Sequence, residues 1–499
     1  MLDTYASIIK IRRRVFEEVA KISYNGNYQD IEEIPFKIFD SDVKTRQSIF
    51  LERAIVAERI RLAIGLPVRF ADEHAPISKG IDEAICSHRY YEPPLVNVID
   101  FACNACPTNS YFVTNVCVGC LANPCANVCP KKAISIVNGH SVINQDLCIK
   151  CGRCKDVCPY GAIAHRERPC QKACGMNAIG SDENGKAKIN YDKCVSCGMC
   201  IVNCPFGAIA DKSQLFQVIR SIKDNDEVYA IMAPSFVGQF GPKVNLETID
   251  DAMGKLGFKG VYEVSIGADL CTIEEAHDFL NNVPSNLKFM GTSCCPSWSQ
   301  MAKMEFPEFK DNISMTLTPM VLTARLVKKE HPNAKIVFVG PCSAKKLEAS
   351  RKSVRSDVDF VLTFEELMGM FLAKEVDFNS LIAKPIKNET SADGRGFAVA
   401  GGVANAVVNA AKEIDPNREV KVMSAQGLAC CKAMLKDAAK GKYDGYLLEG
   451  MACPLGCASG AGTISMATKT KVFVELSKKS AELKKSTQSP YKEELDSLD

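Results

Sequence analysis

Thr292-Ser293-Cys294-Cys295-Pro296-Ser297-Trp298 sets two adjacent thiols ahead of a proline and holds the only tryptophan of the 499-residue chain. Neighbouring residues rarely turn two ligands toward one metal ion, so the pair is no ordinary zinc site. A division of labour fits better, with one cysteine ligating a metal and the other facing a reaction space. Two later stretches supply further ligands: Gly340-Pro341-Cys342-Ser343-Ala344-Lys345-Lys346-Leu347-Glu348 and Glu449-Gly450-Met451-Ala452-Cys453-Pro454-Leu455-Gly456-Cys457. Cys295, Cys342, Cys453 and Cys457 make four thiolates, enough for one iron–sulfur cubane. Cys453 and Cys457, four apart, are expected on one helical face.

Around these stretches, short apolar runs alternate with amphipathic ones. EVYAIMAP (227–234), GVYEVSI (260–266), AKIVFVG (334–340) and DGYLLEG (444–450) read as buried strands. Segments near 248–256, 273–282, 316–329, 364–374 and 403–412 read as helices. Such alternation predicts an α/β fold with largely parallel sheets. Ligands in such folds sit at the carboxyl ends of strands. Ala233-Pro234-Ser235 and Pro341-Cys342 stand at two such ends.

Composition is that of a globular protein, with 46% apolar and 24% charged residues and a net charge of +2 that gives no hint of nucleic acid. No apolar run approaches the roughly 18 residues of a membrane span. The N-terminus mixes charge with helically spaced apolar residues and does not read as a signal peptide, so a cytoplasmic location is expected. Residues 1–96 read as a helical segment, a cap or docking surface in which Cys86 and His88 are structural. The charged end, 471–499, is expected to be a helix followed by a frayed tail.

Cysteine is the outlier. Of 25, 17 lie between Cys86 and Cys204, too many for a reduced enzyme unless most bind metal. A repeat, Cys-x3-Cys-Pro/Gly-x-x-Ala-Ile, begins at Cys125, Cys154, Cys170 and Cys200. Cys-x2-Cys pairs precede three copies: Cys117/Cys120, Cys148/Cys151 and Cys194/Cys197. The copy Cys170/Cys174 has none, but Cys103/Cys106 stands free upstream. Four half-motifs of four cysteines thus use all 16 from Cys103 to Cys204, which predicts four [4Fe–4S] clusters in a module spanning 97–214. The alternative, structural zinc, expects two separated Cys-x2-Cys pairs per ion.

This module resembles bacterial ferredoxins, in which three cysteines hold one cluster and the fourth, before Pro, holds its neighbour. Adjacency then pairs Cys117, Cys120 and Cys125 with Cys158, and Cys148, Cys151 and Cys154 with Cys129. It also pairs Cys194, Cys197 and Cys200 with Cys174, and Cys103, Cys106 and Cys170 with Cys204. A competing scheme joins the second half-motif directly to the fourth. The segments between Cys129 and Cys148 and between Cys174 and Cys194 read as short hairpins.

The three stretches of the first paragraph, in order and with their flanking Pro, Lys and Met, resemble the signature motifs of the iron-only ([FeFe]) hydrogenases, over roughly residues 100–470. The variant motifs look like those of a less-studied subgroup. The resemblance implies a two-lobed catalytic unit over 215–470 with its active site in the cleft. The expected fold is therefore α/β, with an α+β ferredoxin-like iron–sulfur domain and a helical N-terminal segment.

The resemblance also implies an H-cluster, in which a [4Fe–4S] cubane is joined through a cysteine to a diiron unit carrying CO, cyanide and a dithiolate. By motif position Cys295, Cys342, Cys453 and Cys457 hold the cubane, with Cys457 as the bridge. Lys345 and Ser235, after Pro234, match donors to the cyanides, and Met451 and Phe397 match residues lining the diiron pocket. Cys294 matches the first proton acceptor, which suits a thiol of near-neutral pKa. Glu275, Ser314 and Asp278 match the onward relay, Glu275 and Asp278 sharing one helix face. Asp278 replaces the usual Glu and is one methylene shorter, so an extra water is expected in the relay.

Other departures are Gly340 for Met, Met320 for Gln, and Ser459-Gly460-Ala461-Gly462 for an all-Gly run. They leave the ligands intact and alter what surrounds them. The adjacent pair Cys430-Cys431 has no such motif and reads as buried and inert. The activity implied is interconversion of H2 with protons and electrons, exchanged with a ferredoxin-like carrier, and the resemblance implies dedicated maturation proteins. A hydrogen sensor often lacks the relay cysteine, whereas an iron–sulfur assembly or scaffold protein keeps the cubane without the diiron unit. Retention of Cys294, Lys345 and Met451 argues against both.

Overall fold

Val228–Met232 and Lys335–Gly340 are apolar on both faces, and both run through the middle of a parallel sheet. Burial on both faces is what an all-parallel sheet between helices demands. The order is Gly260–Glu263, Val228–Met232, Lys335–Gly340, Phe360–Thr363, with Val337 opposite both Ala230 and Phe360. A second parallel sheet has Tyr446–Met451 between Met290–Gly291 and Lys421–Gln426. The structure, a computed structural model, describes residues 6–40, 48–70, 72–86, 93–224, 226–351, 356–384 and 389–498. His88 lies outside the described residues, and Cys86 is exposed.

The sequence reading is corrected in places. GVYEVSI is a strand only to Glu263; from Ser265 it turns into a helix that runs unbroken to Asn282. The first turns of that helix are buried on nearly every side, so they show no helical stripe. The end of the chain does not fray through Leu498. Ser391 and Ser486 donate their hydroxyls to the buried Asp269, and Leu498 packs against Leu322 and Leu326. Apart from these residues, the tail's charges face outward, which is why it read as loose.

The N-terminal helix Ala6–Asn25 buries Val15, Val19 and Ile22 in the same hydrophobic core as Ile231, Val337 and Phe360 of the four-stranded sheet. Its outer face carries Arg14–Glu18 and Lys21–Glu17 ion pairs at four-residue spacing. No helix among the described residues is long and apolar enough to cross a membrane.

The cysteine-rich segment is built from two-stranded antiparallel units. Ser110–Val113 pairs with Ile163–Arg166, and Val96–Val98 with Ile209–Asp211. Both expected hairpins are present, Ile134–Val137 with His140–Ile143 and Ile179–Ser181 with Ala187–Ile189. The first closes on Asn138-Gly139, both at positive φ, the turn that matches the twist of paired strands. Gly198, at φ +76°, lets the segment dock: a Cβ there would stand 2.5 Å from the Cβ of Ala461, beside Ser343.

Trp298 explains why the opening stretch is spelled as it is. Its ring is fully buried, Nε1 donates to Thr292 O at 3.1 Å, and its six-membered ring lies on the backbone of Gly450. A Cβ at 450 would stand 2.1 Å from Trp298 Cδ2. The indole thereby ties the Cys294-Cys295 turn to the strand that leads to Cys453. Gly450→Ala is expected to lower stability by about 1–3 kcal/mol, the usual range for overpacking, read as a lower thermal midpoint, with Trp298 fluorescence shifted.

Candidate metal centre and its proton path

Four strand ends from two sheets converge on one cavity of about 850 Å³. Ala233-Pro234-Ser235 follows Val228–Met232, and Pro341-Cys342 follows Lys335–Gly340. Cys294-Cys295 comes just after Met290–Gly291, and Ala452-Cys453 after Tyr446–Met451. The carboxyl-end rule that the sequence invoked holds for both sheets. Cys295, Cys342, Cys453 and Cys457 all line this cavity, with Cys294, Ser235, Lys345, Phe397 and Met451.

Cys453 and Cys457 do not share a helix face, contrary to expectation. Leu455 and Gly456 both take positive φ, and a 3₁₀ turn, Gly456–Ser459, follows. Both cysteines still line the same cavity through this reversal.

The donor set suits a metal cluster. Burial pushes the Cys342 thiol up to about 11 and Cys457 to about 12; the charge of Cys295 adds to both, and that of Cys342 to Cys457. Four thiols crowded in a buried space resist ionising unless a positive centre compensates them. Among the described residues no three His, Cys, Asp or Glu side chains could hold a single metal ion; the cysteines are arranged around cavities.

The same holds for the cysteine-rich segment. One cavity of about 330 Å³ is lined by Cys117, Cys120, Cys125 and Cys158, and a second of the same size by Cys129, Cys148, Cys151 and Cys154. Cys106 and Cys170 are raised by burial and by one another's neighbours Cys103 and Cys204. Cys200 is raised by burial, then by Cys197, Cys194 and Cys174. The two cavities gather the cysteines that adjacency assigns to the Cys117 and Cys148 groups. Cys197 also lines the central cavity, so the last group abuts it.

Lys345 is buried against the central cavity. Burial acts to lower its ammonium, but Glu348, 2.7 Å from Nζ, outweighs it and the pKa is raised. Nζ also donates to Thr318 Oγ1 at 3.2 Å, and Thr318 donates to Glu348 Oε1 at 2.5 Å. The charge is thus held in place before anything binds. Ser235 Oγ, buried on the cavity wall, has no hydrogen-bond partner among the described residues. An orphaned hydroxyl of this kind is explained by a bound acceptor.

Two departures find their reasons here. A Cβ at Gly340 would stand 2.6 Å from the ring of Phe338, two residues back on the same strand face. Phe338 itself lines the cavity, so its ring takes the room of a side chain at 340. Met320 is fully buried and lines the cavity as well.

The expected relay is gathered only in part. Glu275 Oε1 accepts the Ser293 N–H at 2.7 Å, while Oε2 is buried without a hydrogen-bond partner among the described residues. Burial pushes Glu275 up to about 7. The near-neutral Cys294 is a correction: burial, then Glu275, pushes this thiol well above its ordinary value, so it holds its proton. Ser314 is buried, but among the described residues no hydrogen bond joins it to Glu275. Its Oγ accepts the Thr316 N–H at 3.2 Å, and Thr316 Oγ1 donates to Asp278 Oδ2 at 3.4 Å. Thr316, which sequence reasoning missed, stands where the shorter Asp278 was expected to need water. Its signal was the Ser-x-Thr spelling beside Pro319. Cys271 was also missed: it is buried one turn before Glu275, whose charge helps raise it after burial. Cys431 is buried as expected, but Cys430 is exposed.

Comparison with known proteins agrees with this arrangement. The family model described as "Iron only hydrogenase large subunit, C-terminal domain" matches residues 226–461. A "4Fe-4S binding domain" matches 141–164, and an "LdpA Fe-S cluster-binding domain" matches 164–215. Iron hydrogenase 1 of Clostridium pasteurianum is 28% identical over 439 residues, 77% of this chain and 76% of that protein. A probable cytosolic Fe-S cluster assembly factor of Aedes aegypti is 27% identical over 276 residues, 45% of this chain and 58% of that protein. A solved [FeFe]-hydrogenase of Chlamydomonas reinhardtii superposes with a TM-score of 0.49 at 20% identity, covering 57% of this chain and 94% of that one.

Since Glu275 is held near 7 by burial, its carboxyl is protonated below that pH and ionised above it. An infrared band of a protonated buried carboxyl should fade as pH rises through about 7 and be absent in Glu275→Gln. Four thiols, a caged lysine and an orphaned hydroxyl line one cleft inside residues 226–461, which the family model assigns to the iron-only hydrogenase large-subunit family, and the chain carries an iron–sulfur module ahead of them.

Proposed function

We propose that the chain is a working hydrogenase that interconverts H2 with protons and electrons in the cytoplasm. One observation carries this reading: the cavity that gathers Cys295, Cys342, Cys453 and Cys457 also exposes Ser235, Lys345 and Cys294 to the same space. A cubane alone would have no use for these three. The similarity to an assembly factor supports a second reading, a scaffold that holds only the cubane. The prearranged Lys345–Glu348–Thr318 cage and the free hydroxyl of Ser235 favour the first.

When bound, the H-cluster supplies heterolytic cleavage of hydrogen and accepts its electrons; its cubane would be held by the four cysteines, with Cys457 as the bridge. Lys345 and Ser235 would orient its anionic ligands, while Phe397, Met320 and Met451 exclude water. Cys294 Sγ is the first proton carrier, suited to the task because it stays protonated at rest. Glu275, poised near 7, is matched to both taking and giving a proton at neutral pH. Its free Oε2 is the atom to receive it. Ser314 and Thr316 hydroxyls then lead to Asp278, half-buried and open to solvent on its outer side.

The cysteine groups described above would hold four further [4Fe–4S] clusters, which would supply electron transfer, and the Cys174/Cys194/Cys197/Cys200 group adjoins the central cavity through Cys197. The chain then works as a helical segment to 96, an electron-transfer module over 97–214, a catalytic unit over 215–470 and a tail over 471–499. A ferredoxin-like carrier and proteins that assemble the diiron unit are the partners this implies.

Infrared spectra of anaerobic protein co-expressed with such assembly proteins should show bands of metal-bound CO and cyanide that shift under H2. A spectrum without them, from protein with a full iron–sulfur complement, would leave the scaffold reading. Cys294→Ala should keep the bands and lose turnover. Thr316→Val should keep them too but slow turnover by about 10²-fold, within the range of one general acid–base group. Thr316→Ser should restore most of the rate, whereas a purely structural role would respond to the lost methyl and not to the hydroxyl.

A further inference from the structure

The iron–sulfur module has a direction. Ser110 pairs with Arg166 and Val113 with Ile163, and the rest of the chain joins at the Ser110/Arg166 end. The cavity of the Cys117 group is lined by Val113, Ala162 and Ile163, at the opposite end, whereas that of the Cys148 group is lined by Tyr111. The Cys117 group is therefore terminal, farthest along the module from the central cavity.

The surface over this terminal group is unlike the rest. Val116, Val118, Leu121 and Tyr160 are all more than half exposed, Leu121 at 99%. The tip of the Ile134–Val137/His140–Ile143 hairpin closes one side: a Cβ at Gly119 would fall 1.8 Å from Gly139 O, and Val137 stands exposed beside that turn. No charged residue occurs between Pro107 and Pro130. Outside this neutral patch, the module's residues 115–166 present six exposed cations, Lys131, Lys132, Lys150, Arg153, Lys155 and Arg166, against Asp146 and Asp156. Their net of +4 exceeds the +2 of the whole chain.

Apolar side chains left this open mark an interaction surface. A neutral apolar patch on a module of net positive charge is the make-up of a small transient interface, in which charge steers the encounter and apolar contact seats it. An electron exchange also needs the partner's redox centre directly above the terminal cluster. We propose that the patch formed by Val116, Val118, Leu121 and Tyr160 is the docking site of a small acidic electron-carrier protein with an iron–sulfur centre. The module's lysines and arginines steer it. One electron passes from the reduced carrier to the Cys117-group cluster, or back when hydrogen is the donor; no proton or group moves with it. The inference rests on the iron–sulfur part of the proposed function and not on hydrogen turnover.

The test uses the full chain with its clusters reconstituted and an acidic ferredoxin, reduced by dithionite, as the probe. Stopped-flow absorbance follows reduction of the chain's clusters. The wild-type rate should fall steeply as salt rises. Leu121→Glu should slow it by about ten-fold, and Lys131→Glu with Lys132→Glu should slow it similarly and flatten the salt dependence. Reduction by methyl viologen and the cluster EPR spectra should stay unchanged in all variants. Wild-type ferredoxin rates in both variants would overturn the proposal. Should Leu121→Glu also lose viologen reduction, its cluster is damaged and the lysine pair decides alone. Light scattering that shows a wild-type dimer dissolved by Leu121→Glu would assign the patch to a second copy and overturn the carrier. Absence of CO and cyanide bands would sink the hydrogenase reading while leaving this result readable.

Discussion

Four thiols held in one buried space are the constraint on which the structure turns. Cys295, Cys342, Cys453 and Cys457 come from three distant stretches, and burial opposes ionising any of them. The chain has to hold these sulfurs together against that resistance before metal arrives. It does so with strand ends, which are the least movable points of an α/β fold, and with Trp298 locked over Gly450 between two of them. The adjacent lysines of the second motif divide the remaining work. Lys345 faces the cavity, while Lys346 is fully buried on the other side. There it donates to Asp211 at 2.9 Å, to Glu366 at 2.7 Å and to the Lys212 carbonyl at 2.8 Å. Asp211 ends the last strand of the iron–sulfur segment, and Glu366 belongs to the capping box of Phe364–Ala373. One buried charge thus pins the cysteine-rich segment to the strand end that carries Cys342. Removing one partner of such a cluster leaves a charge uncompensated, typically at about 3–5 kcal/mol.

The same logic separates structural carboxylates from working ones. Glu449 and Glu275 are both fully buried and both raised by burial. Glu449 spends both oxygens: Gly401 N and Ser424 Oγ on one, Val403 N on the other. It caps the Gly402–Ile414 helix, and nothing is left for chemistry. Glu275 spends one oxygen on Ser293 N and keeps the other free beside the relay. Asp269, also buried and raised to about 6, is taken up by Ser391 and Ser486 and serves to fasten the end of the chain behind the site. Burial alone does not set Glu275 apart from Glu449 and Asp269; among these three its unspent oxygen does.

What the sequence could disclose followed from local rules. Cysteine spacing revealed the four half-motifs, because a cubane's reach limits how far apart its nearest ligands can stand, but it left their grouping between two schemes. Apolar runs revealed the central strands, because parallel strands are buried on both faces. The parts that stayed hidden depend on contacts between distant residues. The turn at Leu455–Gly456 rests on positive φ, which the spelling Pro-Leu-Gly does not enforce. The helix from Ser265 is masked by burial all round. Gly340 looked like a bare departure until Phe338, two residues away, was seen to fill its space. The pKa of Cys294 depends on enclosure by both lobes, which no motif reports.

Thr316 and Asp278 show how such a departure can be absorbed. A carboxylate shortened by one methylene withdraws its oxygens by more than an ångström, enough to break a hydrogen-bonded path. In this chain the gap is met from the other side. The strand-end loop that carries Ser314 places a second hydroxyl two residues on, and Thr316 Oγ1 reaches Asp278 Oδ2. Ser314 Oγ in turn accepts from the backbone of Thr316, so the two hydroxyls are set by one short loop. The loop itself is tied to the Met290–Gly291 strand through Ser314 N to Gly291 O at 2.8 Å. Carboxylate length and loop spelling are then one adjustment at the outer end of the expected relay, while among the described residues no hydrogen bond carries it on from Ser314 to Glu275.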